Sequence, residues 1–456
     1  MNRNDTIVAI STAAGVGGIA VVRLSGSDAL ALAYRHLTIK NLTPRHATYC
    51  GFYASTPPHS SPEEANVGEF LDDIVAIYYP RGYSGEPTVE FACHGSAYIQ
   101  QALLQSLADS GARLAEPGEF TMRAYLNGRL DLSQAEAVAD LIDAVTPQQH
   151  RLAVSQLRGG YAQKLKELRQ QMVDLTSLLE LELDFSQEDV EFADRTRLRQ
   201  LLTTLDIQLS ALISSFSMGN ALKRGVPVAI VGAPNAGTST LLNALLQDDR
   251  AMVSNVPGTT RDTVEETLTV DDITFRFIDT AGLHSTDDPL ESMGIERSYR
   301  AIQQAKIILL LHEASVPIKQ FTAIEEISKC CNVDEKSIFL VHTKCDLCQP
   351  DVDGGIRVIA KHGFGIDDLK RRLVDHVHKN LPKADDVLLS NVRHKDALQH
   401  VKDALQHVSD GLDQHIPIDL VAVDLRDALY HLGTVTGEVT SDDVLGNIFS
   451  RFCIGK

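Results

Sequence analysis

A chain of 456 residues is longer than one hydrophobic core ordinarily serves, and the length points to about three domains. With 44% hydrophobic and 23% charged residues it is neither disordered nor fibrous, and it has no uninterrupted apolar run of about 18 residues to cross a bilayer. The 42 basic and 61 acidic residues leave a formal charge of −19, so any nucleic-acid partner must be held by a local basic patch or by another subunit.

The stretch Ile7–Val22 is apolar enough to imitate a signal peptide. Ser11, Thr12 and several glycines interrupt it, and Arg3 ahead of it is opposed by Asp5. A strand, a Gly-rich turn and a second strand fit better, which places the chain in the cytoplasm. Up to about residue 120 the texture is mixed α/β. Strands are predicted at Ile7–Ile10, Ile19–Leu24, Ile74–Tyr79 and Thr88–Cys93, a helix at Ile99–Ser110, and a surface loop at Ser55–Pro62.

From 121 to 221 the pattern is helical. Leu165, Leu168, Met172, Leu175 and Leu179 recur at spacings of three and four, as do Leu198, Leu202, Leu205, Leu209 and Leu212. The same stripe returns over 381–456 with Leu398, Val401, Leu405, Val408 and Leu412. Bundle packing explains all three. Between them, from 222 to 380, strands predicted at Val226–Val231, Thr274–Ile278, Ile307–Leu311 and Ser337–Val341 alternate with helices, the texture of a parallel sheet. The fold expected is multidomain: an N-terminal α/β domain, then a helical domain interrupted by an inserted α/β domain.

Seven cysteines, an odd number scattered along the chain, read as reduced thiols. Cys345 and Cys348 form a CxxC near Cys330 and Cys331, but the spacing between the pairs suits no zinc ribbon or finger. Chance pairing is the stronger of the two readings.

The inserted domain carries the chemistry. Strand Val226–Val231 runs into Gly232-Ala-Pro-Asn235-Ala236-Gly237-Thr238-Ser239-Thr240 and then a helical run, the strand–loop–helix context of a phosphate loop. Glycines let backbone N–H groups close on phosphate, the helix N-terminus favours the anion, and Ser239 can ligate Mg²⁺. The motif asks for Lys where this chain has Thr238. Other parts follow in order: Gly258-Thr259-Thr260-Arg-Asp262 as a switch loop, Asp279-Thr280-Ala281-Gly282 after a strand, and Thr343-Lys344-Cys-Asp346 after another. In the last, Asp346 can accept two hydrogen bonds from a guanine edge, while the Lys344 stem covers the ring. Thr343 stands for the commoner Asn, and Ile359-Ala-Lys361 for Ser-Ala-Lys. A missing ammonium at Thr238 predicts weak GTP binding and slow hydrolysis, since one preorganised donor is worth roughly 3–4 kcal/mol of transition-state stabilisation.

Asn235 in the loop, GTTRD, DTAGL and the terminal Phe452-Cys-Ile-Gly-Lys456 together resemble the tRNA modification GTPase family known as MnmE or TrmE. The resemblance spans nearly the whole chain, including Arg23-Leu-Ser-Gly26, Pro117-Gly-Glu-Phe120, Arg129-Leu-Asp-Leu-Ser-Gln-Ala-Glu136 and Thr436-Gly-Glu. It implies a Ras-like G domain and a folate-binding-like N-terminal domain that makes a homodimer and holds a tetrahydrofolate one-carbon derivative at Arg23, Glu90, Arg129 and Lys456. It also implies a heterotetramer with the FAD-dependent MnmG (GidA), acting at C5 of the wobble uridine of certain tRNAs, without a membrane. In the G domain it implies K⁺ at Asn235, Ser254, Val256 and Thr259, with Mg²⁺ at Ser239 and Thr260. Glu291 would orient the attacking water, with Asp279 and Gly282 at the metal and γ-phosphate. Cys453 would lie beside the folate.

Two further readings compete with this one. A scaffold impaired by Thr238 would bind folate, partner and tRNA without efficient turnover. A ribosome-assembly GTPase would carry a basic RNA-binding appendage, which a chain of charge −19 lacks.

Overall fold

The computed structural model describes residues 5–54, 69–185, 195–233, 235–246, 266–278, 301–317, 337–348, 354–379, 387–450 and 452–455. The loop expected over Ser55–Pro62 falls outside them. Two compact units emerge: Met1–Ile142 with Ser155–Leu205 and His400–Lys456, and Asp143–Val154 with Asp206–Gln399.

The first unit opens with β1 (Ile7–Ile10), β2 (Gly17–Ser25), α1 (Ala29–His36), β3 (Ala47–Tyr53), β4 (Phe70–Tyr79), β5 (Thr88–Gly95), α2 (Ala97–Asp109) and β6 (Arg113–Leu114). They build one sheet in the order β3-β4-β5-β2-β1-β6, antiparallel except for the β1–β6 pair. Side chains alternate across a strand, so each strand divides its residues between two faces. Val22, Leu24, Val89 and Phe91 are buried on one face in a core shared with Leu32 of α1 and Leu103 and Leu107 of α2. On the other face the register sets Arg23 between Ala9 and Glu90. β3 and α1 went unread from the sequence. In β3, Gly51 and Cys50 break the alternation of bulky residues, and Gly51 sits where a Cβ would meet Thr38 at 3.0 Å.

Next come α3 (Glu119–Leu126), α4 (Leu132–Asp143), α5 (Pro147–Leu157), α6 (Gly160–Phe185) and α7 (Arg195–Arg224). Asp131 starts α4 with a reciprocal cap: its Oδ1 accepts from Gln134 N–H at 2.9 Å, and Gln134 Oε1 accepts from Asp131 N–H at 3.0 Å. The leucine stripes of α6 and α7 are buried throughout. By length and composition α7 could cross a membrane, with a mean hydropathy of 1.3. Of that apolar window 22% is buried, leucines of the stripe included.

The second unit contains β7 (Val226–Gly232), α8 (Thr238–Leu246), β8 (Glu266–Val270), β9 (Ile273–Ile278), β10 (Ile307–Glu313), β11 (Ser337–Thr343), β12 (Ile356–Arg357) and α9 (Ile366–Lys379). The sheet runs β12-β11-β10-β7-β9-β8 and is parallel apart from β8, which pairs antiparallel with β9. That exception follows from the connection. Only Asp271 and Asp272 join β8 to β9, both with positive φ, a two-residue turn that makes a hairpin and excludes a crossover. β10 is buried along Ile307–Leu311, as a central parallel strand covered on both faces should be. The chain closes with α10 (Val392–Asp413), α11 (Ile418–Thr436) and α12 (Asp442–Phe449). α11 packs on α6 in the first unit.

Candidate functional site

β7 delivers the chain to the loop expected to hold phosphate. Asn235 adopts φ 65° and Gly237 φ 97°, a left-handed pair that turns the backbone sharply into α8. Gly237 needs its missing side chain for that φ, and nothing lies within 4 Å of where a Cβ would be, so the concave side of the turn is open. Ala236 is buried and fixed by its N–H to Ala233 O at 2.9 Å. α8 is pinned to the core by Leu241, Leu245 and Leu246. The N–H groups of its first turn have no carbonyl before them in the helix and suit an anion. Ser239 and Thr240 are exposed there, and Thr238 is half-buried. A hydroxyl at Ser239 can take a hard cation next to that anion; Thr238 has neither the charge nor the reach of a lysine.

The guanine motif meets this loop through one bond. Thr343 Oγ1, at the end of β11, donates to Ala236 O at 2.7 Å, fully buried. Thr343 thus ties the motif to the loop. Lys344 follows with φ 55°, and Asp346 is exposed in a turn closed by Leu347 N–H to Lys344 O at 3.0 Å. The Lys344 ammonium goes to Glu313 Oε2 at 2.8 Å. Glu313, at the end of β10, was missed from the sequence. Lys344, then the Ser315 hydroxyl, hold its carboxyl below the usual range. An acid at the C-terminal end of a central strand was the available signal. Of Ile359-Ala-Lys361, Ile359 caps a 3₁₀ turn over Ala360–His362 and its N–H bonds to Phe364 O.

Beneath the motif two buried histidines face each other across β10 and β11, His312 Nδ1 to His342 Nδ1 at 3.0 Å. His342 Nε2 must carry a proton, because it lies 3.0 Å from Gly354 O, which can only accept. In the neutral pair, therefore, His312 Nδ1–H donates to His342 Nδ1. Burial is the leading cause that pulls His342 below the ordinary imidazole range.

On the second sheet face of the first unit, Arg23 Nε donates to Glu90 Oε1 at 2.9 Å. The Arg23 guanidinium lies over the rings of Tyr83 and Phe120, at 5.4 and 5.5 Å. Arg129 is exposed after α3, near the turn that carries Tyr83; a Cβ on Gly85 would lie 3.2 Å from Arg129 Cγ. Arg23 and Glu90 therefore bond directly, and Arg129 approaches them only through that turn. The C-terminal tail docks in the same unit. Ser11 Oγ donates to Gly455 O at 3.1 Å, and Pro117 bridges Ile454. Gly118 (φ 67°) meets Phe449 and Phe452 so closely that a Cβ there would clash. Below Phe120, Asp5, Glu86 and Glu119 interlock with Arg113 and Arg123. Cys453 is exposed and lines a cavity of about 1160 Å³ with β1 and α2.

Ser254, Val256, Thr259, Thr260, Asp279, Thr280, Ala281, Gly282, Glu291 and Lys456 lie outside the described residues. Among the described residues no group of three or more His, Cys, Asp or Glu is placed to hold a metal ion.

Residues 132–453 match the family model described as MnmE helical domain, and residues 6–129 the one described as GTP-binding protein TrmE N-terminus. The tRNA modification GTPase MnmE of Parabacteroides distasonis is 46% identical, over 99% of this chain and 100% of its own. The protein of the same name from Cytophaga hutchinsonii is 43% identical over 100% of this chain and 98% of its own. Among solved structures, the G domain of the T. maritima FeoB iron transporter aligns with 33% of this chain and 98% of its own at 23% identity, with a TM-score of 0.26. The G-domain fold follows from the strand order and the strand–loop–helix context of Asn235–Thr240.

Proposed function

The chain belongs to the MnmE family of tRNA modification GTPases, and from that premise we propose how its residues divide the work. GTP lies along the loop Asn235–Thr240, with its phosphates on the N–H groups at the start of α8 and its guanine read by Asp346. The observation that carries this reading is the Thr343–Ala236 hydrogen bond, which brings the phosphate and guanine motifs together. Asp279, Thr280, Ala281 and Gly282 complete the γ-phosphate end, and Glu291 orients the attacking water. Ser239 and Thr260 would hold Mg²⁺; Asn235, Ser254, Val256 and Thr259 would hold K⁺. Bound there, the two ions would supply positive charge against that developing on the phosphate oxygens.

In the N-terminal domain, Arg23, Glu90, Arg129 and Lys456 bind a tetrahydrofolate one-carbon derivative. The Arg23–Glu90 pair supports this, since Glu90 keeps a second carboxylate oxygen and both side chains stay partly exposed. Domain boundaries fall at 120/121, 221/222 and 380/381. The chain works in the cytoplasm as a homodimer, with the FAD-dependent MnmG, on C5 of the wobble uridine of tRNA.

Thr238 favours one alternative, a scaffold that binds its partners with little turnover. GTP hydrolysis measured in K⁺ and then in Na⁺ separates the two. Turnover stimulated by K⁺ is expected; absence of both turnover and cation effect leaves the scaffold.

A further inference from the structure

At the far end of the parallel strands from the phosphate loop lies a cavity of about 400 Å³ in the second unit. Ser217 and Met218 of α7, Lys306 before β10, Ser337 at the start of β11 and His376 of α9 line it. The strands span about 20 Å at ~3.3 Å per residue, so this cavity shares no residue with the nucleotide loop.

Backbone bonds hold the cluster together. Lys306 N–H donates to Pro227 O at 2.9 Å, and Ser337 N–H donates to Lys306 O at 3.1 Å. Ser337 Oγ and His376 Nε2 are 2.7 Å apart, and the His376 ring meets Phe339 edge-on at 5.5 Å. The half-buried Lys306 ammonium has neither a hydrogen bond nor an ion pair among the described residues. Burial alone pushes it down to about 8. A lysine removed from water ordinarily finds a carboxylate or snorkels out. Here the described lining offers hydroxyls, an imidazole and no acid, and the charge felt by His376 is that of Lys379. When His376 donates through Nε2–H to Ser337 Oγ, the serine O–H is released toward the cavity. The Lys306 ammonium and that hydroxyl can then donate into the cavity, and no side chain of the described lining adds negative charge.

We propose that this cavity binds a small oxyanion, a carboxylate or a phosphate, held by Lys306 and Ser337 with His376 behind the serine. The proposal stands apart from the nucleotide and folate readings, so its test can fail while theirs succeed. The occupant lies against the last turns of α7, which run directly into β7 and the phosphate loop.

The test uses the full chain at about pH 7. Acetate and inorganic phosphate are added separately at constant ionic strength, and an amine-reactive ester labels lysines for peptide mass spectrometry. An opposite charge within about 4–6 Å raises an amine pKa by about 1–3 units, and each unit removes about nine-tenths of the neutral amine at this pH. Labelling of Lys306 should therefore slow at least about tenfold, saturably, while Lys164 on α6 is unchanged. Protection by phosphate alone, acetate alone or both supports the site and says which oxyanion it takes. Ser337→Ala should weaken the protection while leaving Lys306 reactive in the absence of anion. Unchanged labelling with either anion, or equal slowing of every lysine, overturns the proposal.

Discussion

The Thr343 hydroxyl donates to the Ala236 carbonyl, and both groups are shut away from water. Thr343→Val keeps the shape and deletes the donor, leaving a buried carbonyl unsatisfied at a cost of about 1–3 kcal/mol. Chemical denaturation should show that loss. Guanine nucleotide affinity should fall with it, because the loop and the motif lose their common anchor. An unchanged midpoint would mean that the bond adds nothing. Thr238 poses the opposite case. Its hydroxyl stands where the motif has a cation, so Thr238→Lys should raise GTP turnover by at least about tenfold, given the roughly 3–4 kcal/mol such a donor supplies. A steady-state assay of the two proteins decides it.

At the scale of elements, two buried networks make pH predictions with the same sign. Burial pushes the Glu119 carboxyl up, but Arg113, the Glu116 N–H and Arg123 outweigh it and hold it below 4.5. Burial likewise raises Asp5, and Arg113 and Arg123 outweigh it, holding it below 3.8. A depressed carboxyl stabilises the fold above its unfolded value, and that stability is lost as pH falls through the folded one. The first unit should therefore hold its stability down to the ordinary carboxylate range and lose it below. Glu119→Gln, breaking a pair only 2% exposed at that residue, should cost about 3–5 kcal/mol near neutrality and flatten the acid limb of the curve. In the second unit His342 is also depressed, so its contribution is full above 6.5 and lost as pH falls further. Hydrogen-exchange protection in β10 and β11, taken relative to the intrinsic amide rate at each pH, should fall as pH drops below 6.5, and His342→Gln should remove that step.

These networks were invisible in the sequence for a plain reason. Arg123 bonds Asp5 across 118 positions, and Lys344 meets Glu313 across 31. No periodicity links such residues; the sheet register brings them together. The leucine stripes were legible because an amphipathic helix repeats its own signal every turn. The phosphate loop and guanine motif were legible because each follows a run of apolar residues that reads as a strand. The β8–β9 hairpin contradicted the purely parallel texture, although Asp271-Asp272 held the clue.

At the scale of the molecule, an N-terminal α+β domain precedes a helical domain interrupted by a G domain; one family model matches residues 6–129 and the other residues 132–453. Net charge of −19 leaves no general attraction for tRNA. Binding of tRNA should therefore be weak for this chain alone and, if the proposed pairing with MnmG holds, strengthen when MnmG is added, which filter binding at fixed salt can check; equal affinity with and without MnmG would contradict the pairing. All of this depends on the inserted domain being a guanine nucleotide site. The direct measurement is displacement of a fluorescent GTP analogue from the chain and from its Thr238→Lys variant, by GTP and by ATP. GTP should displace it and ATP should not, with tighter binding in the variant. Equal displacement by ATP, or no binding even with the lysine restored, would contradict it.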